Sequence, residues 1–358
     1  MFKIKIYPFA YIFQNKTLLD KLYSLYNSDI KISFVNHPLM PLVLEKTFKF
    51  QSDMILIYYS NEIIGYFNAV NHKKIFSSKS NYLSFPGFKA GKVILRQEYN
   101  KEFMHVLNDI KDELNNTFNI YFFEQEFANQ LGFHDENNKI YTKAVLEMKD
   151  EEELFTNFKK KLRWTLRKVE RDEKLIHSFD NSARFIEKEY YPFYLKYMKQ
   201  RHGSPPLPKK FFLLLNEYFK DDIYFSNCYF DKKLVSSVVA LGSPSRVELL
   251  TIPCNRTGQI YYASDKSHWE LIRKCVEKKI KYLDFGPAWY EGQKFFKEKW
   301  GCNFLPYYGV NVDKDGVNSI IEKLYDSKAR IIIAETWKRL IPVPLTPYVG
   351  YFVRKYLL

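Results

Sequence analysis

The chain has 358 residues, more than one hydrophobic core usually serves, and its 46% hydrophobic and 18% aromatic content excludes a disordered protein. A formal net charge of +14 directs it toward polyanions: nucleic acid, anionic headgroups or phosphate-bearing small molecules. No apolar run approaches the ~18–20 residues that span a bilayer, and residues 1–13 lack a signal peptide's apolar block, which predicts a cytoplasmic chain.

In chain order, residues 1–13 alternate as a strand and residues 17–26 show helical spacing through Leu19, Leu22 and Leu25. Residues 54–59 and 63–69 form a hairpin across Ser60-Asn61-Glu62. A strand at 81–85 leads into Pro86-Gly87 and Gly91, with Val93-Ile94-Leu95 beyond it. An amphipathic helix at 102–114, a strand at 120–123, a short helix closed by Gly132 and a strand at 141–148 follow. Residues 151–174 read as one long helix, with Leu154, Phe158, Leu162, Leu166 and Val169 on one stripe and Asp150 with Glu153 as a capping box. Helices at 187–201 and 209–219 flank a proline-rich break. A second hairpin, 224–230 with 234–241, turns at Asp231-Lys232-Lys233. A strand at 247–252, a helix at 267–279, a strand at 282–287, a short helix at 293–299 and a strand at 304–312 complete the pattern.

The order hairpin, strand, helix, strand and glycine-closed short helix occurs twice. It predicts an α/β (α+β) protein of two tandem mixed-sheet domains, residues 1–149 and 150–317. A basic, aromatic helical tail, residues 318–358, is broken by Pro342, Pro344 and Pro347. Its last helix, capped by Thr346, puts Val349, Phe352 and Val353 on one face beside Arg354 and Lys355.

Asp284 is the anomaly of the sequence: a carboxylate inside the apolar run Tyr282 to Phe285, where a charge is costly unless paired or used. Either it works in a site or it holds the Gly286-Pro287 turn. Four scattered cysteines and seven isolated histidines form no metal-ligand spacing, so no metal and no disulfide are expected. The densest basic stretch is 159–168, where Arg163, Trp164 and Arg167 lie off the apolar stripe. They form either a phosphate-binding face or an ordinary solvated one.

Several of these segments resemble the GNAT acyltransferase superfamily, in the branch of FemAB-like peptidoglycan aminoacyltransferases and acetyltransferases. Tyr282-Leu283-Asp284-Phe285-Gly286 resembles the branch's Asp-apolar-Gly strand, and Phe296-Lys297 with Gly301 resembles its Phe-Lys…Gly segment. Tyr261-Tyr262-Ala263-Ser264-Asp265 resembles the approach to its long helix, and 83–91 resembles a Ser-Leu-Pro-Phe…Gly-Gly segment with Lys92 in place of the second glycine. The match runs from about Met54 to Tyr308. One departure is Asn255-Arg256-Thr257-Gly258-Gln259, where Arg and Gly stand at the wrong spacing for a coenzyme A pyrophosphate loop.

The resemblance implies transfer of an acyl group to an amine, without metal or covalent enzyme intermediate. It points to Asp284, Lys297, Tyr262 and Glu248 as catalytic candidates: Asp284 to orient or deprotonate the amine, Lys297 to hold a phosphate or the tetrahedral intermediate, Tyr262 to donate to the leaving group, and Glu248 as a second base. Tyr261, Ser84, Pro86, Gly91, Arg163, Trp164 and Arg167 are the substrate-binding candidates. Each has a plainer reading as a core aromatic, a turn residue or a solvated cation. The donor is acyl-CoA, with aminoacyl-tRNA as the alternative, and the acceptor is a small or lipid-linked amine of a cell-envelope precursor. A reading from another class is a non-catalytic basic protein that binds nucleic acid or, through the tail, the inner membrane surface.

Overall fold

A computed structural model describes residues 2–28, 32–73, 80–83, 91–114, 117–132, 139–313, 316–319 and 328–356. The chain divides into two compact units: Met1–Tyr141 with Pro306–Lys323 and Phe352–Leu358, and Thr142–Leu305 with Leu324–Tyr351. This division differs from the expected boundaries after residues 149 and 317, because it follows strand pairing rather than the run of the chain.

The described strands are, in order, β1 Phe2–Pro8, β2 Gln51–Tyr59, β3 Glu62–Lys73, β4 Ser80–Leu83, β5 Ile94–Leu95, β6 Thr117–Phe122 and β7 Lys139–Glu147. Then come β8 Leu175–Phe179, β9 Ile223–Phe230, β10 Lys233–Gly242, β11 Arg246–Thr251, β12 Tyr282–Pro287, β13 Asn303–Asp313 and β14 Gly316–Ser319. In the first unit the sheet order is β1-β2-β3-β4-β6-β13, with β5 on β3 and β14 on β13. Every pair along that order is antiparallel except β4 with β6. In the second unit the order β8-β9-β10-β11-β12-β7 repeats the directions, with β11 and β12 the parallel pair. The duplicated mixed-sheet architecture read from the sequence is therefore present.

Three details differ from expectation. The strand read over residues 1–13 ends at Pro8, and Phe9–Gln14 is a helix. Residues 141–148 were placed as the last strand of the first half and 304–312 as the last of the second, but β7 pairs with β12 and β13 pairs with β6. Alternation assigns a strand its faces and says nothing of its partner. The expected long helix at 151–174 is two helices, Glu151–Asn157 and Lys160–Glu170. Phe158 between them is extended (ψ 147°), and its ring meets Trp269 and Trp300 at 5.5 and 5.3 Å. The apolar stripe was legible, since Leu154, Phe158, Leu162, Leu166 and Val169 are all buried in the core of this unit. The break lets the first helix and Phe158 follow the core.

Both hairpins turn through two residues with positive φ: Ser60 and Asn61 (46° and 68°), Asp231 and Lys232 (47° and 62°). Two-residue loops of that hand match the right-handed twist of the strands they join. The first unit's core is aromatic, with Phe103 stacked on Phe127 at 3.9 Å and packed with Phe118 and Phe122.

Candidate active site

Along β12 the side chains alternate. Leu283 and Phe285 enter the core of the second unit, and Asp284 between them faces the other side of the sheet, only 1% exposed. Glu248 on β11 is the Cα partner of Asp284, and Arg246 lies two residues before it on the same face. From β7, Lys143 Nζ reaches Asp284 Oδ2 at 3.2 Å and Glu248 Oε1 at 3.7 Å. The other Asp284 oxygen, Oδ1, accepts the Gly286 N–H at 2.7 Å. Gly286 has φ +76°, a conformation an L side chain would strain.

Burial alone would raise the Asp284 carboxyl. Lys143, Arg246 and the Gly286 N–H outweigh it and hold the group below the usual carboxylate range. A carboxylate held ionised in this way is a weak base. Its geometry fits that of a holder of the turn.

That turn in turn holds Lys297. The lysine comes from the helix Glu291–Glu298 and is 6% exposed. Its Nζ donates to the Gly286 carbonyl at 2.8 Å and the Pro287 carbonyl at 2.5 Å. Burial pushes its pKa down to about 8, against the attraction of Asp284, so the ammonium still dominates at neutral pH. An ammonium has three N–H donors, and these two carbonyls use two of them. The carboxylate, the turn and the cation thus form one relay at the carboxyl end of β12.

Sequence reasoning missed Lys143, Arg246 and His268. Lys143 carried a signal: it sits in the strand at 141–148 as Asp284 sits in β12, a charge within a buried alternation. His268 is fully buried, its ring 5.6 Å from Phe285 and 5.7 Å from Trp300. Its Nδ1 lies 2.6 Å from the Ser264 carbonyl and so carries the proton, and burial lowers its pKa to about 4.

The other candidates are dispersed. Tyr262, with φ 57°, precedes the helix Ala263–Glu277, and Lys168 Nζ stands 5.5 Å from its ring and 5.4 Å from that of Trp164. Trp164 is 54% exposed, and Arg167 lies over Phe155 at 5.2 Å, so the face of Arg163, Trp164, Arg167 and Lys168 borders Tyr262. Tyr261 instead stacks on Phe230 at 4.0 Å, over the β9–β10 hairpin. No contact described joins either tyrosine to Lys297. Gly91 belongs to the first unit, where its carbonyl accepts the Tyr121 N–H at 2.8 Å. Ser84 and Pro86 lie outside the described residues.

The segment at 255–259 does not form an anion loop. Asn255 caps the helix Arg256–Ile260, its Oδ1 accepting the Gly258 N–H at 2.8 Å. A Cβ on Gly258 would come within 2.4 Å of the Val235 carbonyl, so this glycine serves packing. Among the described residues no group of three His, Cys, Asp or Glu side chains is placed to hold a metal. A cavity of about 360 Å³ in this unit opens at the amino-terminal end of β12, by Lys281 and Tyr282, and includes neither Asp284 nor Lys297.

Residues 156–298 match the family model described as an acetyltransferase (GNAT) domain. The matched residues all lie within the second unit. Among solved structures, the chain is similar to FemX, with a TM-score of 0.66 and 11% identity over 81% of this chain and 95% of that one. It is also similar to L-PGS from Bacillus licheniformis (TM-score 0.53, 11% identity, 89% and 97% covered). A third is the C-terminal domain of a putative lysylphosphatidylglycerol synthetase from Agrobacterium fabrum (TM-score 0.51, 10% identity, 89% and 95% covered). At these identities the likeness is one of fold, and at that level the FemAB-like GNAT resemblance holds. No curated protein matches. Among the described residues no helix is long and apolar enough to cross a membrane.

Proposed function

We propose that this GNAT-fold protein is an N-acyltransferase that passes an acyl group from acyl-CoA to an amino group of a cell-envelope or polysaccharide precursor. The observation that carries the reading is the Lys297 ammonium, buried at the end of β12, held by two carbonyls and with one N–H to spare. A neutral amine attacks the thioester carbonyl carbon, and negative charge develops on its oxygen. The third N–H of Lys297 donates to that oxygen. As the tetrahedral intermediate collapses, the C–S bond breaks and the extra proton on the former amine nitrogen passes to the departing sulfur, giving amide and free thiol with Lys297 still an ammonium. Asp284 touches none of the reacting atoms in this scheme. It is a positioning residue that fixes the Gly286-Pro287 turn on which Lys297 rests.

A specific observation favours a second donor, aminoacyl-tRNA. Gly258, the glycine nearest to a pyrophosphate loop, spends its N–H on Asn255, while the face of Arg163, Trp164, Arg167 and Lys168 offers cations and an exposed ring beside Tyr262. Purified protein incubated with acyl-CoAs or aminoacyl-tRNA and a panel of amino sugars and peptides separates the two. Turnover with a CoA ester supports the first reading. Turnover only with charged tRNA, weakened by high salt and by Arg163→Glu/Lys168→Glu, supports the second. Binding without turnover, unaffected by Lys297→Met, would sink both.

A further inference from the structure

The tail is anchored on one side and open on the other. Its first helix, Lys328–Leu340, is pinned to the second unit. Lys199 Nζ donates to the Trp337 carbonyl at 2.7 Å, and a Cβ on Gly203 would lie 2.7 Å from the Ala334 carbonyl. Its second helix, Thr346–Tyr356, turns Gly350 toward Pro206, where a Cβ would come within 2.7 Å of the proline ring, and buries Thr346. The side that packs on the protein is thus accounted for.

The other side is apolar and faces solvent. Leu340, Val343, Leu345 and Tyr348 are 69%, 38%, 51% and 76% exposed. No other stretch of that length among the described residues leaves more than two large hydrophobic side chains so exposed. Pro342, Pro344 and Pro347 set the corner between the helices, and the four exposed side chains fall within the nine residues 340–348 around it, termed the ridge. The charge in its flanks is net positive. In the sequence Lys338, paired with Glu335 at 2.9 Å, and Arg339 precede the ridge, Arg354 and Lys355 follow it, and no Asp or Glu comes after Glu335.

We propose that this ridge docks on an anionic lipid surface, with Leu340, Val343, Leu345 and Tyr348 in the headgroup–acyl boundary and the flanking cations on lipid phosphates. Apolar side chains with an interfacial tyrosine, bordered by cations, suit a negatively charged bilayer. A protein partner or a second copy would meet the same cations without the phosphates that offset them, and this chain's own net charge of +14 opposes self-association.

The test is sedimentation with vesicles of phosphatidylcholine alone or mixed with phosphatidylglycerol, using the full chain. Partitioning is expected to be at least about tenfold stronger with the anionic lipid. It should fall by about tenfold or more in Leu345→Asp/Tyr348→Asp. Leu340→Ser/Leu345→Ser provides a milder pair should the first fold poorly, as judged by circular dichroism. Tyr348→Trp should bind like the parent and shift its added emission to the blue on anionic vesicles. The proposal is overturned by absent binding to anionic vesicles, by undiminished binding of both double variants, or by an unshifted emission from the Tyr348→Trp variant. It is also overturned if sedimentation equilibrium shows a dimer that the double variants abolish. Because binding is read without turnover, its failure leaves the acyltransferase reading untouched.

Discussion

β6 in the first unit and β12 in the second occupy the same place in their sheets, each parallel to the strand after the hairpin and antiparallel to the closing strand. β6 contains no charged residue, and Phe118, Ile120 and Phe122 are buried in an aromatic core. The ion pair of Lys92 with Glu124, at 2.5 Å, uses a carboxylate beyond the strand's end. β12 has Asp284 in its middle, with Lys143 and Glu248 brought to it from the strands on either side. One topology stands with and without the charges, so the fold does not require them. Buried charges rarely repay their desolvation in stability. Under the proposed function the copy that carries them is the working one, and the Gly286-Pro287 turn is what they hold.

The comparison breaks most readily at Asp284. Asp284→Ala removes the nearer of the two carboxylates that the buried Lys143 reaches and is expected to cost about 3–5 kcal/mol, whereas Ile120→Val in β6 costs about 0.5–1.5 kcal/mol. Urea unfolding monitored by circular dichroism measures both. Lys143→Met/Glu248→Met/Asp284→Leu should recover at least part of that loss while turnover is lost in both variants; recovered activity would mean the charges position nothing. Lys297→Met should lower kcat by about 10²–10³-fold, as expected for one oxyanion donor, and a change in KM alone would contradict the role.

The pH profile sharpens the same point. Burial lowers the Lys297 pKa, so the lysine loses its proton as pH rises through about 8. Acting as the ammonium, it gives kcat/KM a descending limb that falls about tenfold per pH unit above that value. Lys297→Arg should move the descending limb to higher pH, and a limb unmoved by that change would assign it to another group. The smallest effect concerns the two hairpins. Lys232→Gly relieves a left-handed lysine and should stabilise by roughly 0.5 kcal/mol, while Asn61→Gly should change stability less, since Asn tolerates that conformation. Equal gains at both positions would show that the turns are not under the same strain.

Local order was legible where one stretch of chain decides it. Both hairpins, the Asp284 strand, the Lys297 helix and the buried stripe from Leu154 to Val169 follow from alternation, spacing and turn residues. Partnerships across the chain were not. Lys143 belongs with Asp284 only because β7 pairs with β12, and no pattern within 141–148 names that partner. The break at Phe158 was hidden because its ring continues the apolar stripe while its backbone leaves the helix. In the tail, sequence named Val349, Phe352 and Val353 as one face. Tyr348, at 76%, is the most exposed of its large hydrophobic residues, because Gly350 against Pro206 sets the helix rotation.

β13 closes the first unit's sheet although it follows the whole second GNAT-like sheet in the chain. A ribosome therefore delivers β6 long before the strand that will cover its open edge. The nascent first unit waits, with one row of backbone donors and acceptors unpaired, until synthesis has passed Asp313. The first unit cannot finish folding in the order it is made, and a nonsense codon in the second half before residue 282 would leave both sheets short of a strand.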